Sequence, residues 1–281
     1  MQLNFSISTV AYSGYRIEQA IDSIASLGVL NIELALIQGA VYDLTESDIT
    51  PELARWIKSY LDDKQMRCSS LAAHCDLTLE NCEQRLITRL EMCKILACKR
   101  LVLYAPRGAE LGEFVIAASK AIALAKQLGI KILIENVGDT QAYLLNQADD
   151  FEPFCRQADN TVFGINFDPG NFLSHRPQLD VLEHSLSSLA FAEHLHLKDL
   201  YLEQDVWRCC ELGGGAGKYQ ALLESAAANE QVPFFSIESP YALERLVDGS
   251  TRFKPREQLL PIAEIEQRLS KSIEFINQCL A

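Results

Sequence analysis

The sequence predicts an α/β protein that folds as a single (β/α)8 TIM barrel, in which eight parallel strands close into a cylinder surrounded by helices. Short runs rich in β-branched and aromatic residues alternate with amphipathic stretches along the whole chain. The length of 281 residues suits eight such units, and no linker or low-complexity segment divides them. We therefore expect one barrel domain over residues 1–281.

Each predicted strand is followed by its own predicted helix. In the first half, LNFSIS precedes RIEQAIDSIASLG, NIELAL precedes PELARWIKSYLDD, MRCSSLAA precedes NCEQRLITRLEMCKILA, and RLVLYA precedes EFVIAASKAIALAKQLG. In the second half, KILIENV precedes YLLNQADDFEPFCRQA, FGINFD precedes QLDVLEHSLSSLAF, HLHLKDL precedes KYQALLESAAANE, and PFFSIES precedes a closing helix over residues 262–280. A doubly wound open sheet is the alternative. Its dinucleotide-binding version needs G-x-G-x-x-G after the first strand, where this chain has STVAYSG.

Composition excludes several classes of partner. The formal net charge of -13 argues against nucleic acid and anionic membranes, because both are bound through clustered Lys and Arg. The start of the chain lacks the basic and apolar regions of a secretory signal, and we find no apolar run long enough to span a membrane. The nine cysteines are scattered without a Cys-x-x-Cys pair, which indicates reduced thiols. We expect a soluble cytoplasmic protein.

Polar residues stand at the last inward-facing position of successive predicted strands. They follow one another at intervals of about one strand-helix unit: Glu33, His74, Tyr104, Glu135, Asp168, His196 and Glu238. Because barrel enzymes build their sites at the carboxyl ends of the strands, we expect these side chains to converge there. In HLHLKD, alternation turns Leu195 and Leu197 toward the helices, and His194, His196 and Lys198 toward the barrel axis.

Four of these residues form a candidate metal-binding set: Glu135, Asp168, His196 and Glu238. Buried charges are costly unless they pair or bind something. Three carboxylates and one imidazole suit a fairly hard divalent ion, Mn²⁺ first, with Mg²⁺, Co²⁺ or Zn²⁺ as alternatives. Positions left open for a substrate oxygen indicate a catalytic rather than a structural ion. Taken singly, each residue could instead be an ion-pair partner or a hydrogen-bonded core residue, and their common register favours the metal.

The segments that carry the four residues, IEN, FDPGN, HLHLKD and IES, resemble the sugar phosphate isomerase/epimerase superfamily with the xylose isomerase-like barrel. ELGGGAGKYQALL also resembles that family's glycine-rich loop before the seventh helix, and the resemblance covers essentially the whole chain. It implies an isomerase or epimerase of a small sugar or sugar phosphate that depends on one divalent ion. In the family's epimerases the two glutamates move protons as well as binding the ion, which implies catalytic roles for Glu135 and Glu238.

The predicted chemistry is removal of a proton next to a carbonyl, through an enediolate that the ion stabilises. Return of the proton to the opposite face gives an epimerase, and return to the neighbouring carbon gives an isomerase. Loss of a β-hydroxyl gives a dehydratase of the inosose or 3-dehydroshikimate type. A non-catalytic sugar-binding barrel is the alternative of another class, and the complete ligand set argues against it. The family's endonuclease branch needs many histidines, whereas this chain has five and carries Tyr104 and Pro106 on the fourth strand.

Substrate contacts are predicted for four further residues: Glu33, His74, Asn171 and Lys198. Many relatives have a histidine where this chain has Asn171, which can hydrogen-bond a substrate but is a poorer proton carrier. Arg107 and Lys218 could meet a substrate phosphate, although glycine loops are more often turns than phosphate cradles. His194 is expected to be a core histidine that supports the ligands from below. The outer helix faces leave a homo-oligomer open.

Overall fold

The structure is a computed structural model and describes residues 5–230 and 232–281. Its strands, numbered in chain order, are β1 Phe5–Ser8, β2 Asn31–Ala35, β3 Arg67–Ala72, β4 Arg100–Leu103, β5 Lys131–Glu135, β6 Phe163–Phe167, β7 His194–Leu197, β8 Asp199–Glu203, β9 Val206–Cys210, β10 Phe234–Ile237, β11 Leu243–Leu246 and β12 Thr251–Phe253. Strands β1 to β7 and β10 form a closed barrel of eight parallel strands. Closure excludes the open sheet, because β1 pairs with β2 on one side and with β10 on the other.

The helices cover the outside of the barrel. They are α1 Ile17–Ser26, α2 Pro51–Asp63, α3 Cys82–Leu96, α4 Leu111–Ala117, α5 Ser119–Leu128, α6 Phe151–Gln157, α7 Pro169–His175, α8 Val181–Leu189, α9 Tyr219–Ala228 and α10 Ile262–Cys279. Their apolar faces pack on the outward residues of the strands in one large core, which includes Leu195 and Leu197. A second, smaller apolar cluster lies inside the barrel and includes Ala35, Ala72, Val102 and Leu133. The predicted (β/α)8 barrel is therefore confirmed.

The structure departs from the predicted elements in three places. HLHLKDL is not one strand, because β7 ends at Leu197 and the chain turns at Lys198 into β8 of another sheet. The stretch after β4 forms two helices, α4 and α5, instead of one. Only residues 151–157 of YLLNQADDFEPFCRQA form an α-helix, after a short 3-10 turn at residues 148–150.

A four-stranded antiparallel sheet, which we call the cap sheet, is the main feature that the sequence did not predict. It has the order β12-β11-β9-β8 and joins the chain after β7 to the chain after β10. Its outer face carries an ion-pair network in which Arg208 and Arg252 both bind Glu244. Its inner face brings Leu243, Arg245 and Thr251 over the mouth of the barrel.

Two further observations concern the whole chain. Every one of the nine cysteines is a free thiol, including the neighbours Cys209 and Cys210. Among the described residues, the structure has no helix with the length and apolar character needed to cross a bilayer.

Candidate metal centre

Four strands of the barrel bring the predicted ligands together at their carboxyl ends. Glu135 is the last residue of β5 and His196 lies within β7, while Asp168 and Glu238 directly follow β6 and β10. Asp168 is also the N-cap of α7, where its Oδ1 accepts hydrogen bonds from the amides of Gly170 (2.8 Å) and of the next residue. One ligand atom from each of the four residues lies within 4.8 Å of all the others, and all four side chains are buried. The geometry is that of a single compact centre.

His196 gives the clearest reason to assign a cation site to this cluster. Its Nε2 lies 3.0 Å from Oε2 of Glu33. Its Nδ1 faces Oε2 of Glu135 at 3.2 Å and Oε2 of Glu238 at 3.4 Å, and within the described chain this atom has no hydrogen-bond partner. A fully buried nitrogen that faces two carboxylate oxygens needs a proton or a metal ion between them. The donor set of three carboxylates and one imidazole therefore fits a divalent ion.

The three neighbouring carboxylates raise the pKa of His196 well above its usual value, against the opposing effect of burial. In the absence of a metal, these carboxylates therefore favour the protonated imidazole. Since a metal binds the deprotonated imidazole, loading the ion releases this proton.

Glu135 is held as an ionised carboxylate by side chains from the neighbouring elements. Asn171 Nδ2 donates to its Oε1 at 2.8 Å, and the Tyr104 hydroxyl donates to the same oxygen at 3.2 Å. Burial alone would raise the pKa of Glu135, but His196 and His74 lower it well below its usual range. Asn171 is thus placed against a predicted ligand and not on the wall of the cavity described below.

Lys198 joins the other two carboxylates of the centre. Its ammonium pairs with Oδ2 of Asp168, and it donates to Oε2 of Glu238 and to Oδ1 of Asn171, both at 3.0 Å. Despite burial, Lys198 and His196 lower the pKa of Glu238 to about 2. The pKa of Asp168 rises to about 6, because burial and the negative charges of the neighbouring glutamates outweigh the effect of Lys198.

A cavity of about 580 Å³ opens above the centre, within the usual size range of sites for small molecules. Lys198 and Glu238 form part of its floor, and His74 and Tyr104 form one wall. The rings of His74 and Tyr104 are stacked, with centroids 4.2 Å apart. His74 and Lys198 therefore line the cavity, and their contact with a substrate stays a prediction.

Glu33 lies below the centre and does not line the cavity. It is fully buried, its Oε2 accepts a hydrogen bond from Ser70 Oγ at 2.9 Å, and Ser236 Oγ lies 3.2 Å from the same oxygen, in addition to its contact with His196. Ala35 follows Glu33 on the same side of β2 and lies in the inner apolar cluster. Glu33 was predicted to contact the substrate. The structure places it against His196 and away from the cavity wall.

His194 forms a hydrogen-bonded connection from the bottom of the barrel to Glu135. Asn166 Nδ2 donates to Oε2 of Glu135 at 2.7 Å, which leaves Asn166 Oδ1 to accept from Nδ1 of His194 at 2.6 Å. Burial lowers the pKa of His194 to about 3, so the ring is neutral and its Nε2 is an acceptor. The Ser236 hydroxyl lies 3.1 Å from this Nε2. His194 thus fixes Asn166, and Asn166 fixes a predicted ligand.

The glycine-rich loop does not form a phosphate cradle. Its backbone amides at Gly213, Gly215 and Gly217 all donate to the carboxylate of Asp199, each at 3.0 Å. Lys218, at the end of this loop, lies in a separate shallow surface depression.

Arg107 lies at the cavity but is paired with two acids. Its guanidinium donates to Asp139 Oδ2 at 2.9 Å and also pairs with Asp76. Of the two cations predicted to meet a phosphate, Arg107 is therefore paired with carboxylates and Lys218 lies outside the cavity.

Arg245 is a residue of the site that the sequence did not indicate. It comes from β11 of the cap sheet, lines the cavity and donates to Ser174 Oγ. Its Nε is buried and has no hydrogen-bond partner in the part of the chain that the structure describes. No local pattern in LERL distinguishes it, because its position depends on the unpredicted cap sheet.

The fold and the centre together define a class: a TIM barrel with a candidate divalent-metal site at the carboxyl ends of its strands. The family model of the xylose isomerase-like TIM barrel matches residues 21–278. The chain therefore belongs to this family, as its sequence motifs implied.

Solved structures of similar shape include sugar epimerases. D-allulose 3-epimerase from Methylomonas sp., solved with D-allulose, has a TM-score of 0.70 at 15% identity, covering 98% of this chain and 96% of the other. D-psicose 3-epimerase from Clostridium cellulolyticum H10, solved with D-tagatose, has a TM-score of 0.69 at 13% identity and 99% coverage of both chains. The 3-keto-D-glucoside 4-epimerase from E. coli has a TM-score of 0.64 at 13% identity, covering 99% of this chain and 100% of the other. A comparison with curated proteins gives no match.

Proposed function

We propose that this protein is a divalent-metal-dependent isomerase or epimerase of a small sugar. The observation that carries the proposal is the convergence of Glu135, Asp168, His196 and Glu238 around the unpartnered Nδ1 of His196. Mn²⁺ is the ion we expect, on the strength of the oxygen-rich ligand set. The sugar epimerases of similar shape support the same reaction class.

The bound ion would supply positive charge next to the substrate oxygens on which negative charge develops. The chain's own residues would move the proton. Glu238 lines the cavity, and Glu135 lies directly behind its wall, where it contacts His74 at 3.3 Å and Tyr104 at 3.2 Å, so these two carboxylates would be the proton carriers. A carboxylate that is ionised at neutral pH can accept the proton bound to carbon next to a carbonyl, and the resulting acid can return it.

Lys198 would keep Glu238 and Asp168 ionised and in position during this transfer. The stacked His74 and Tyr104 would exclude water and give the sugar ring or chain a flat surface. An unphosphorylated sugar is favoured, because the amides of the glycine loop are occupied by Asp199 and Arg107 is paired with two acids. Among the described residues that line the cavity, this leaves Arg245 as the one cation without a carboxylate partner.

The test is a screen of ketoses, ketose phosphates, inososes and 3-dehydroshikimate in D₂O with added Mn²⁺, followed by mass spectrometry. Deuterium on carbon in the substrate or its epimer supports the proposal, and a dehydrated product would assign a lyase instead. Glu135→Gln and Glu238→Gln should each abolish exchange, whereas the exposed Glu257→Gln serves as the matched control. If both glutamate variants bind as much Mn²⁺ and exchange as fast as the wild type, the site is not catalytic.

A further inference from the structure

We propose that Glu33 is a positioning residue that presents Nδ1 of His196 to the metal ion, and that it does not contact the substrate. The inference rests on the metal-dependent function proposed above. Glu33 is fully buried, and its Oε2 lies 3.0 Å from Nε2 of His196, on the side of the ring away from the other carboxylates. A carboxylate in this position accepts the Nε2 proton, which leaves the Nδ1 lone pair free for the ion.

The surroundings of Glu33 keep its acceptor oxygen in place. Ser70 on β3 donates to Oε2 at 2.9 Å, and the hydroxyl of Ser236 on β10 lies 3.2 Å from the same oxygen. These two residues belong to the strands that flank the neighbouring pair β1 and β2, and Ser236 is in turn hydrogen-bonded to Ser6 at 2.7 Å. Glu33 is therefore held between strands and cannot turn toward the cavity without losing these contacts.

A second metal ion at this level is the competing interpretation, because Glu33, His194 and His196 also place ligand atoms within 4.8 Å of one another. Hydrogen bonds argue against it. Both ring nitrogens of His194 have partners, Asn166 Oδ1 at 2.6 Å and Ser236 Oγ at 3.1 Å. Binding a second ion would break at least one of these bonds, whereas the Nδ1 of His196 has no bond to lose within the described residues.

The two nitrogens of His196 thus have different tasks. Nε2 faces the single carboxylate of Glu33 below, and Nδ1 faces the Glu135 and Glu238 carboxylates above at 3.2 and 3.4 Å. A histidine ligand that donates its other N–H to a carboxylate is held in one tautomer and one orientation, and loss of such a partner typically weakens metal binding about 10-fold to 100-fold. We therefore place Glu33 one layer beneath the ligands, where it acts on the ion through His196.

The first test measures Mn²⁺ affinity from the electron paramagnetic resonance signal of free Mn²⁺. Glu33→Gln should raise the dissociation constant by about 10-fold or more, while circular dichroism remains that of the wild type. Ser8→Ala is the matched control, because Ser8 pairs in register with Glu33 on β1 and its buried hydroxyl has no partner among the residues described. In a double-mutant cycle, adding Glu33→Gln to His196→Asn should cost no further affinity, since the residue through which Glu33 acts is gone.

The second test needs no variant and remains decisive if Glu33→Gln does not fold. Histidine-selective ¹⁵N labelling with Zn²⁺ as a diamagnetic probe reports which nitrogen of His196 carries the proton. A protonated Nε2 with Zn²⁺ on Nδ1 supports the proposal, and a protonated Nδ1 overturns it. Wild-type Mn²⁺ affinity within twofold in Glu33→Gln also overturns it but leaves the proposed function standing. Failure of the wild type to bind either ion would overturn both.

Discussion

Asp199 is predicted to be the main support of the glycine-rich loop, and Asp199→Ala should destabilise the protein by about 3 kcal/mol. Its Oδ1 accepts from the amides of Leu200 (2.9 Å) and Gly217 (3.0 Å), and both hydrogen bonds are buried. Its Oδ2 accepts from the amides of Gly213 and Gly215 in partly buried bonds of 3.0 Å. Substitution by alanine leaves all four N–H groups without this partner.

The magnitude follows from the burial of each donor. A buried N–H without a partner costs about 1–3 kcal/mol, so the amides of Leu200 and Gly217 together cost about 2–6 kcal/mol. The two partly buried amides can be hydrated and lose only about 0.5 kcal/mol each. The alanine variant also recovers part of the desolvation cost of the carboxylate, since burial raises the pKa of Asp199 even though four amides donate to it. These opposing contributions lead to a loss near 3 kcal/mol.

Urea denaturation of the wild type, Asp199→Ala and Asp199→Asn measures this loss. The asparagine variant keeps one acceptor oxygen and should lose about half as much, because the buried pair of amides can retain it. Asp180→Ala is the reference variant, because it removes an exposed N-cap carboxylate that accepts from the amides of Leu182 and Glu183. It should lower the free energy of unfolding by about 1 kcal/mol. Hydrogen exchange should accelerate at Gly215 and Gly217. A loss below about 1 kcal/mol in Asp199→Ala, or equal losses in the alanine and asparagine variants, would refute this reasoning.

Three further predictions concern charge in and near the centre. Lys198→Met should tighten Mn²⁺ binding by about tenfold and lower turnover, because the Lys198 ammonium neutralises the same carboxylates as the ion. Calorimetric titration measures the Mn²⁺ affinity, and weaker binding by the variant would contradict this prediction. Burial and nearby cations lower the pKa of His175 well below its usual value. Below about pH 6.5 the imidazole therefore takes up a proton in the unfolded chain but not in the folded one, and the free energy of unfolding falls. Between about pH 7.5 and pH 5.5, the free energy of unfolding measured in urea should fall by about 1.4 kcal/mol more for the wild type than for His175→Gln. Parallel pH profiles of the two proteins would contradict the lowered pKa of His175. Mn²⁺ at about 100 times its dissociation constant should raise the free energy of unfolding by about 2.7 kcal/mol, measured by thermal melts and reversed by EDTA; an unchanged melt would count against the centre.

The barrel could be predicted because its eight strands are local patterns. Segments such as KILIE and FGINF are short, apolar and followed by helical periodicity, and each becomes one strand of the barrel. The cap sheet could not be predicted, because β11 and β12 are short, have mixed composition and pair with each other and with residues far away in sequence, as Glu244 does with Arg208. The break at Lys198 was missed for a related reason. Asp199 accepts from amides up to Gly217, and a local pattern does not reveal such contacts.

The convergence of the four proposed ligands was predictable, because parallel strands deliver their last inward residues to one end of a barrel. The depth of each side chain within the barrel was harder to predict. Glu33 is the third of the five residues of β2, and a register shift between Ile32 and Glu33 sets it opposite Ser70. Alternation gives the side of the strand on which a residue lies, but the height in the barrel depends on strand bounds and bulges. Arg245 reaches the cavity only through the cap sheet.

The charges around the centre connect the ion to the kind of substrate. Four buried carboxylates, Glu33, Glu135, Asp168 and Glu238, contribute four negative charges, and Lys198 and Arg245 contribute two positive ones. A proton on His196 leaves one negative charge uncompensated in a buried site, whereas a divalent ion that displaces this proton brings the sum to zero. An uncharged sugar preserves this balance, whereas a phosphate would add negative charge to a cavity in which, among the described residues that line it, Arg245 is the one cation without a carboxylate partner. The charge balance therefore supports two parts of the proposed function, the divalent ion and the unphosphorylated substrate.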